Sequence, residues 1–145
     1  MQLLLQRVKS ASVDVGGDRI AAIEHGLLVF VGLEKDDTIQ LCERAVDRVL
    51  AYRVFSDDNG RMNRSVIDVC GSLLLVSQFT LAADTRKGLR PSFSSAMPPA
   101  DAKVMFDYFT GCAQASVLDV QTGRFGADMQ VSLVNDGPVT FLLEV

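Results

Sequence analysis

Two short runs limit the folds open to this chain. LLVFVGL, Leu27 to Leu33, and LLLV, which opens LLLVSQFTL at Leu73 to Leu81, carry no polar side chain. Each has the length of a strand and lacks the alternation of a half-wet one, so each reads as a buried strand. A sheet built on two buried strands needs cover, and helices are the ordinary cover. The remaining segments supply it in the order strands, helix, strand, helix, strands.

Leu3 to Val15 is apolar and β-branched, and Gly16-Gly17-Asp18 then turns a hairpin. Arg19 to Ile23 returns, Glu24-His25-Gly26 turns again, and the first buried run follows. Asp36-Asp37-Thr38 opens a helix, with Asp37 and Gln40 spaced as a capping box. Ile39, Cys42, Ala45, Val46, Val49 and Leu50 recur at helical spacing, while Glu43, Arg44, Asp47 and Arg48 fall on the wet side. The pattern predicts a helix to about Arg53, then a turn at Ser56 to Gly60. Pro98-Pro99 suits a second helix start, with Val104, Met105, Tyr108, Phe109 and Cys112 as its buried stripe. Two strands close the chain, about Val117 to Arg124 and Met129 to Val145. The expectation is one mixed α/β domain over residues 1–145. Its mixed β-sheet, with a curled antiparallel extension, is covered by two helices in a three-layer arrangement.

The chain's 145 residues suffice for one real core. A net charge of −4 excludes a broad basic face, so any RNA contact is small and local. No apolar run approaches the roughly 20 residues of a membrane span. MQLLLQRVKS has neither a basic leader region nor a small-residue cleavage site, and the expected location is cytoplasmic. Cys42, Cys70 and Cys112 show no CxxC spacing and read as reduced, half-buried thiols. No GxxxxGK[ST] or GxGxxG is present, which argues against a nucleotide cofactor. Asp57-Asp58 lacks the other ligand positions of a calcium loop and reads as turn chemistry. The single histidine, His25, sits in a turn without an evident nucleophile or orienting partner, so an enzyme built on this chain works without histidine.

Three segments break the pattern. Ser77-Gln78-Phe79-Thr80 places polar groups at the end of a central strand, where they need hydrogen-bond partners that either a turn or a ligand supplies. Thr85 to Arg90 sets Arg86, Lys87 and Arg90 within six residues with no acid among them, which reads either as surface charge or as a phosphate contact. Val134 to Phe141, VNDGPVTF, puts Gly137 and Pro138 inside a terminal strand. Proline cannot donate to a ladder and marks an edge, bulge or bend. Gly-Pro also has access to the cis form, which would kink the strand and turn two carbonyls outward.

Taken together, these residues resemble a known family. SQFTL at Ser77 to Leu81 and NDGPVT at Asn135 to Thr140 resemble the two signature motifs of the D-aminoacyl-tRNA deacylases, also called D-tyrosyl-tRNA deacylases. QRVKSASV near the start, KGLRPSF at Lys87 to Phe93 and TGRFGADMQVSLVNDGPVT from Thr122 are similar to the family too, Leu89 being one departure. The resemblance implies hydrolysis of the ester joining a D-amino acid, or mischarged glycine, to the terminal adenosine of tRNA, with no metal or organic cofactor. It also implies a homodimer in which Gly137-Pro138 of one subunit enters the active site of the other. There its carbonyls would meet the substrate's α-amino group and exclude an L side chain. Fixed main-chain atoms suit that task, because a flexible wall would yield to the wrong hand.

Ser77, Gln78, Phe79 and Thr80 are then the catalytic candidates, with backbone N–H groups of Gln78, Phe79 and Thr80 facing the developing oxyanion. Thr80 lacks an activating base, so water activated with help from the substrate's ribose hydroxyl is the preferred attacker. Phe125 and Met129 would line the pocket, Arg7 would hold the Gly-Pro geometry by resemblance, and Arg86, Lys87 and Arg90 would contact the acceptor end of tRNA. Two rivals stand beside this reading: a small trimeric hydrolase or deaminase of free metabolites, and a non-enzymatic binding module using the broken terminal strand.

Overall fold

The computed structural model describes residues 1–86, 88–116 and 118–145 of the chain. The strands are β1 (Gln2–Val15), β2 (Asp18–Ile23), β3 (Gly26–Gly32), β4 (Phe55–Ser56), β5 (Met62–Arg64), β6 (Ser72–Ser77), β7 (Val120–Thr122) and β8 (Gln130–Glu144). The helices are α1 (Ile39–Ala51) and α2 (Pro99–Gln114), and a 3₁₀ turn spans Phe79–Ala82. The main sheet runs β2-β1-β3-β6-β7, with β8 paired to β1. β3–β6 and β6–β7 are parallel and the other pairs antiparallel, so the sheet is mixed.

The two apolar runs are explained by layers on both faces. Leu27, Val29, Val31, Leu73 and Leu75 join Cys42, Ala45, Val46, Val49, Phe106 and Phe109 in the core beneath the helices. Leu28, Leu74 and Val76 face the other way, against Val8, Ala11, Val13, Ala21 and Ile23. That second core exists because β1 is long and bends. Its first half pairs with β3, and its second half, beyond the end of β3, pairs with β2. β8 follows β1 along both halves, with irregular register around Val8. The result is nearly a barrel on one side and a helix layer on the other. Each fully buried Leu or Val in these cores contributes about 1.5–3 kcal/mol.

The hairpin at Gly16-Gly17 holds both glycines at positive φ, 61° and 91°, as a two-residue turn between right-twisted strands requires. The turn after β4 is held by Asp57, whose Oδ1 accepts from the N–H groups of Asn59 and Arg61. His25 is exposed in its turn and packs edge-on to Phe55, ring centroids 5.1 Å apart.

Several boundaries differ from expectation. Thr38, not Asp37, caps α1, its Oγ1 accepting from the N–H of Leu41. Asp37 instead accepts from the Met1 ammonium and the Glu34 N–H. α1 ends at Ala51 rather than near Arg53. The buried stripe of α2 is Ala102, Phe106, Phe109 and Ala113, while Val104 is 71% exposed and Tyr108 turns outward to donate to Glu43. Phe109 is buried as the spacing predicts, and Met105 and Cys112 pack partly buried against the core, but the stripe is centred about one position away, so Val104 and Tyr108 face out. Of the expected strand from Val117 to Arg124, only Val120–Thr122 is strand, Val117 lying outside the described residues, and β8 begins at Gln130 rather than Met129. Cys42 is fully buried and Cys70 exposed, so only Cys112 is half-buried.

Candidate active site at the end of the parallel strands

β6 stops at Ser77, not Leu81, because the chain leaves the ladder there and winds into the 3₁₀ turn. The Gln78 N–H still donates to Val31 O at 2.8 Å, and the Leu81 N–H then closes on Gln78 O. The polar residues therefore do not sit inside a buried strand. Ser77 and Gln78 are half-buried, and Phe79 and Thr80 are exposed. Gln78 Nε2 donates to Thr80 Oγ1 at 2.6 Å, so the two side chains satisfy each other.

A cavity of about 660 Å³ opens beside this turn. Ser77, Gln78 and Phe79 line it together with Phe125, Gly126 and Met129. Val31, Leu33 and Val76, at the ends of β3 and β6, also line it, and Ala96 to Pro99 form a wall leading into α2. That wall is fixed to the sheet, since the Met97 N–H donates to Leu33 O and the Lys35 N–H to Ser95 O. The lining is mostly apolar with a few polar groups at one corner, the composition of a small-molecule or nucleoside pocket. Among the described residues, no group of three His, Cys, Asp or Glu is placed to hold a metal ion.

Sequence reasoning missed the wall and Phe93. The ring of Phe93 stands 5.1 Å from that of Phe79 at the cavity. Proximity to Pro98-Pro99 was a usable signal for the wall, but an irregular segment has no periodicity to read. Thr80 is not among the residues lining the cavity.

Arg86 and Arg90 are exposed and also off the cavity lining, and Lys87 lies outside the described residues. Arg86 is not a free cation. Its Nε and Nη2 donate to the two carboxylate oxygens of Asp84 at 2.9 and 2.8 Å, and those bonds hold that carboxyl well below the usual range. The acid stands one residue before the stretch that was read as lacking one.

Gly137-Pro138 lies on β8 opposite Arg7, between the pairs Val8–Asn135 and Gln6–Thr140. The peptide is cis, and Gly137 has φ 138°. Arg7 reaches under the segment: Nε donates to Asp136 O at 2.9 Å and Nη1 to Val54 O at 2.6 Å. Asn135 closes the far side, its Oδ1 accepting from the Val139 N–H at 2.7 Å. Neither Gly137 nor Pro138 lines the cavity of its own chain.

The model of the D-Tyr-tRNA(Tyr) deacylase family matches residues 4–144. The chain belongs to that family. Proteins named D-aminoacyl-tRNA deacylase from Pseudomonas aeruginosa strain LESB58 and Pseudomonas putida strain W619 are each 59% identical to it, over 99% and 100% of both chains. Among solved structures, a c-Myc DNA unwinding element binding protein superposes with TM-score 0.95 at 40% identity, covering 100% of this chain and 99% of that one. A probable eukaryotic D-amino acid tRNA deacylase superposes with TM-score 0.84 at 16% identity, over 99% of this chain and 98% of that one, which shows the shared fold. This deacylase-family chain carries SQFT at the end of β6 and NDGPVT within β8, strands of one sheet. Among its described residues, no helix is long and apolar enough to cross a membrane.

Proposed function

We propose that the chain hydrolyses the ester bond of D-aminoacyl-tRNA, and of mischarged glycyl-tRNA, releasing the amino acid and free tRNA. One observation carries this: Ser77, Gln78 and Phe79 line an apolar cavity in a chain that matches the deacylase family from residue 4 to 144. The terminal adenosine occupies the apolar cavity, between the Phe79 corner and the Phe125–Met129 side. The ester carbonyl lies over the turn. The Gln78 N–H is already committed to Val31, so the N–H groups of Phe79 and Thr80 take the developing oxyanion. Thr80 receives a hydrogen bond from an amide donor, and a donor cannot remove its proton. Water attacks, with the neighbouring ribose hydroxyl of the substrate assisting.

The chain works as a homodimer in this reading, and Gly137-Pro138 of one protomer completes the cavity of the other. The support lies in β8. Among the described residues it pairs only with β1, which leaves one edge of a 15-residue strand open. Val134 and Leu142 stand 52% and 54% exposed on it. A long, apolar, open edge is a surface that pairs with another chain. Arg7 and Asn135 hold the Gly-Pro segment from both sides, so the exposed main chain forms a fixed wall against an L side chain. Arg86, Lys87 and Arg90 meet the acceptor-stem backbone, Arg86 exchanging its Asp84 partner for phosphate, and the reaction takes place in the cytoplasm.

The test compares D-Tyr-tRNA and L-Tyr-tRNA in buffer without added metal. Hydrolysis of the D ester alone supports the assignment. Equal hydrolysis of both refutes the chiral wall, and hydrolysis of neither refutes the activity.

A further inference from the structure

We infer that Gly32 is a positioning residue for the catalytic turn. The missing side chain at the end of β3 sets where Gln78, Phe79 and Thr80 stand. This rests on the deacylase reading of that turn given above.

The reason for glycine at position 32 is space. Its φ lies outside the left-handed region, so the backbone there suits any residue. A Cβ built on Gly32 would stand 2.7 Å from Leu81 Cβ, 3.2 Å from Gln78 O and 3.5 Å from Gln2 Cβ. The first contact is shorter than carbon atoms tolerate. It is also made by the first atom of a side chain, which cannot rotate away. The second contact is backbone. Relief therefore requires moving the 3₁₀ turn itself.

Gly32 sits where β6 has just ended. Val31 is its last partner on β3, in register with Ser77, and Val31 O accepts from the Gln78 N–H. The next step of β3 is Gly32, and the turn folds down onto it through Leu81 and Gln78 O. The two ends of the turn are thus referenced to adjacent residues of one buried strand, by a hydrogen bond at Val31 and by close contact at Gly32. The N–H groups of Phe79 and Thr80, which receive the oxyanion, lie between those anchors. A displacement of about 1 Å in such groups can cost about 100-fold in rate.

The experiment measures single-turnover hydrolysis of D-Tyr-tRNA, together with KM, circular dichroism and melting. The variants are Gly32→Ala, Leu81→Gly and the double variant. Gly111→Ala serves as control, because a Cβ there meets nothing within 4 Å. Gly32→Ala is expected to keep the fold and a KM within about threefold, while kcat falls about 100-fold. The double variant lacks the Leu81 Cβ and is expected to recover to within about threefold of Leu81→Gly alone. A purely structural role would lower the melting temperature and leave kcat of the folded fraction alone. Folded Gly32→Ala with near-wild-type kcat overturns the inference. Should Gly32→Ala not fold, the double variant decides: folded and matching Leu81→Gly supports the inference, and any lower activity or failure to fold overturns it. A wild-type chain inactive on D-Tyr-tRNA would instead refute the functional assignment.

Discussion

The guanidinium of Arg7 and the main-chain carbonyl of Asp136 are joined by a 2.9 Å hydrogen bond from Nε, one residue ahead of Gly137. The same side chain donates from Nη1 to Val54 O, so a residue on β1 ties the β8 kink to the segment leaving α1. Arg7 is only 11% exposed. Hydrogen bonds from a charged donor are worth about 1.5–3 kcal/mol, and Arg7→Ala leaves two carbonyls without it. Denaturant melts of Arg7→Ala should show a loss of that size. Lysine cannot fork to both carbonyls. Arg7→Lys should therefore regain part of the stability and little of the discrimination between D-Tyr-tRNA and L-Tyr-tRNA.

Met129 enters the cavity because Gly123 lets it. A Cβ on Gly123 would lie 2.7 Å from Met129 Sδ. The thioether is the far end of a flexible side chain and shifts readily. Gly123→Ala should therefore fold normally, crowd the cavity and raise KM about tenfold, while Gly123→Ala with Met129→Ala regains most of it. Equal KM in wild type and Gly123→Ala would remove Met129 from the substrate's path.

Thr80→Ala should retain substantial single-turnover activity. Its hydroxyl is exposed and accepts from Gln78 Nε2, and it lies off the cavity lining. A fall below about 10⁻³ of the wild-type rate, the scale of a lost nucleophile, would make Thr80 the attacking group.

The thiols should separate by reactivity. Cys42 is fully buried, and burial, with Asp37 nearby, pushes its pKa up to about 11 from 9.0. Cys70 is exposed. Iodoacetamide at pH 8 should label Cys70 and leave Cys42 untouched until the chain unfolds. The raised Cys42 pKa favours the folded state below pH 9, and that contribution is lost as pH rises toward 11. Tyr108 adds to the alkaline loss. Its hydroxyl donates to Glu43 and its pKa is pushed up to about 12, so this contribution fades between about 10 and 12. Melting temperature should hold from pH 7 to 9 and fall above it, less steeply in Cys42→Ala.

Much of the fold was legible in the sequence, and the reasons are particular. The runs at Leu27 and Leu73 announced strands covered on both sides, and Gly16-Gly17 announced the hairpin. Of the six positions expected on the α1 face, Cys42, Ala45, Val46 and Val49 are buried and Leu50 is half-buried, while Ile39, in the first turn of the helix, is exposed. The cap was misread because Asp37 and Thr38 are both good caps, and Asp37 was drawn instead to the Met1 ammonium and the Glu34 N–H. The end of β6 was misread because Phe79 and Leu81 extend the strand-like alternation past Ser77, whereas the chain leaves the ladder there and the Leu81 N–H closes on Gln78 O. The site was nominated through short motifs, which mark residues but not their neighbours. Phe93 and the Ala96–Pro99 wall reach the cavity by tertiary contact that no spacing in the sequence encodes.

The most direct test of the account joins two damaged chains. Gly137→Ala places a Cβ 2.7 Å from Val139 Cγ2 and 3.1 Å from Arg7 Nη2 at a φ of 138°, which an L side chain rarely adopts. Gln78→Ala damages the catalytic turn instead. Each variant alone should lose about 100-fold in activity. Co-expressed with two different affinity tags and purified through both, the mixed dimer holds one site built from an intact Gly137-Pro138 and an intact Gln78, donated by different chains. The account predicts about half of wild-type activity per dimer, as one restored site of two requires. A mixed dimer no more active than either parent, or two tags that never co-purify, would contradict it.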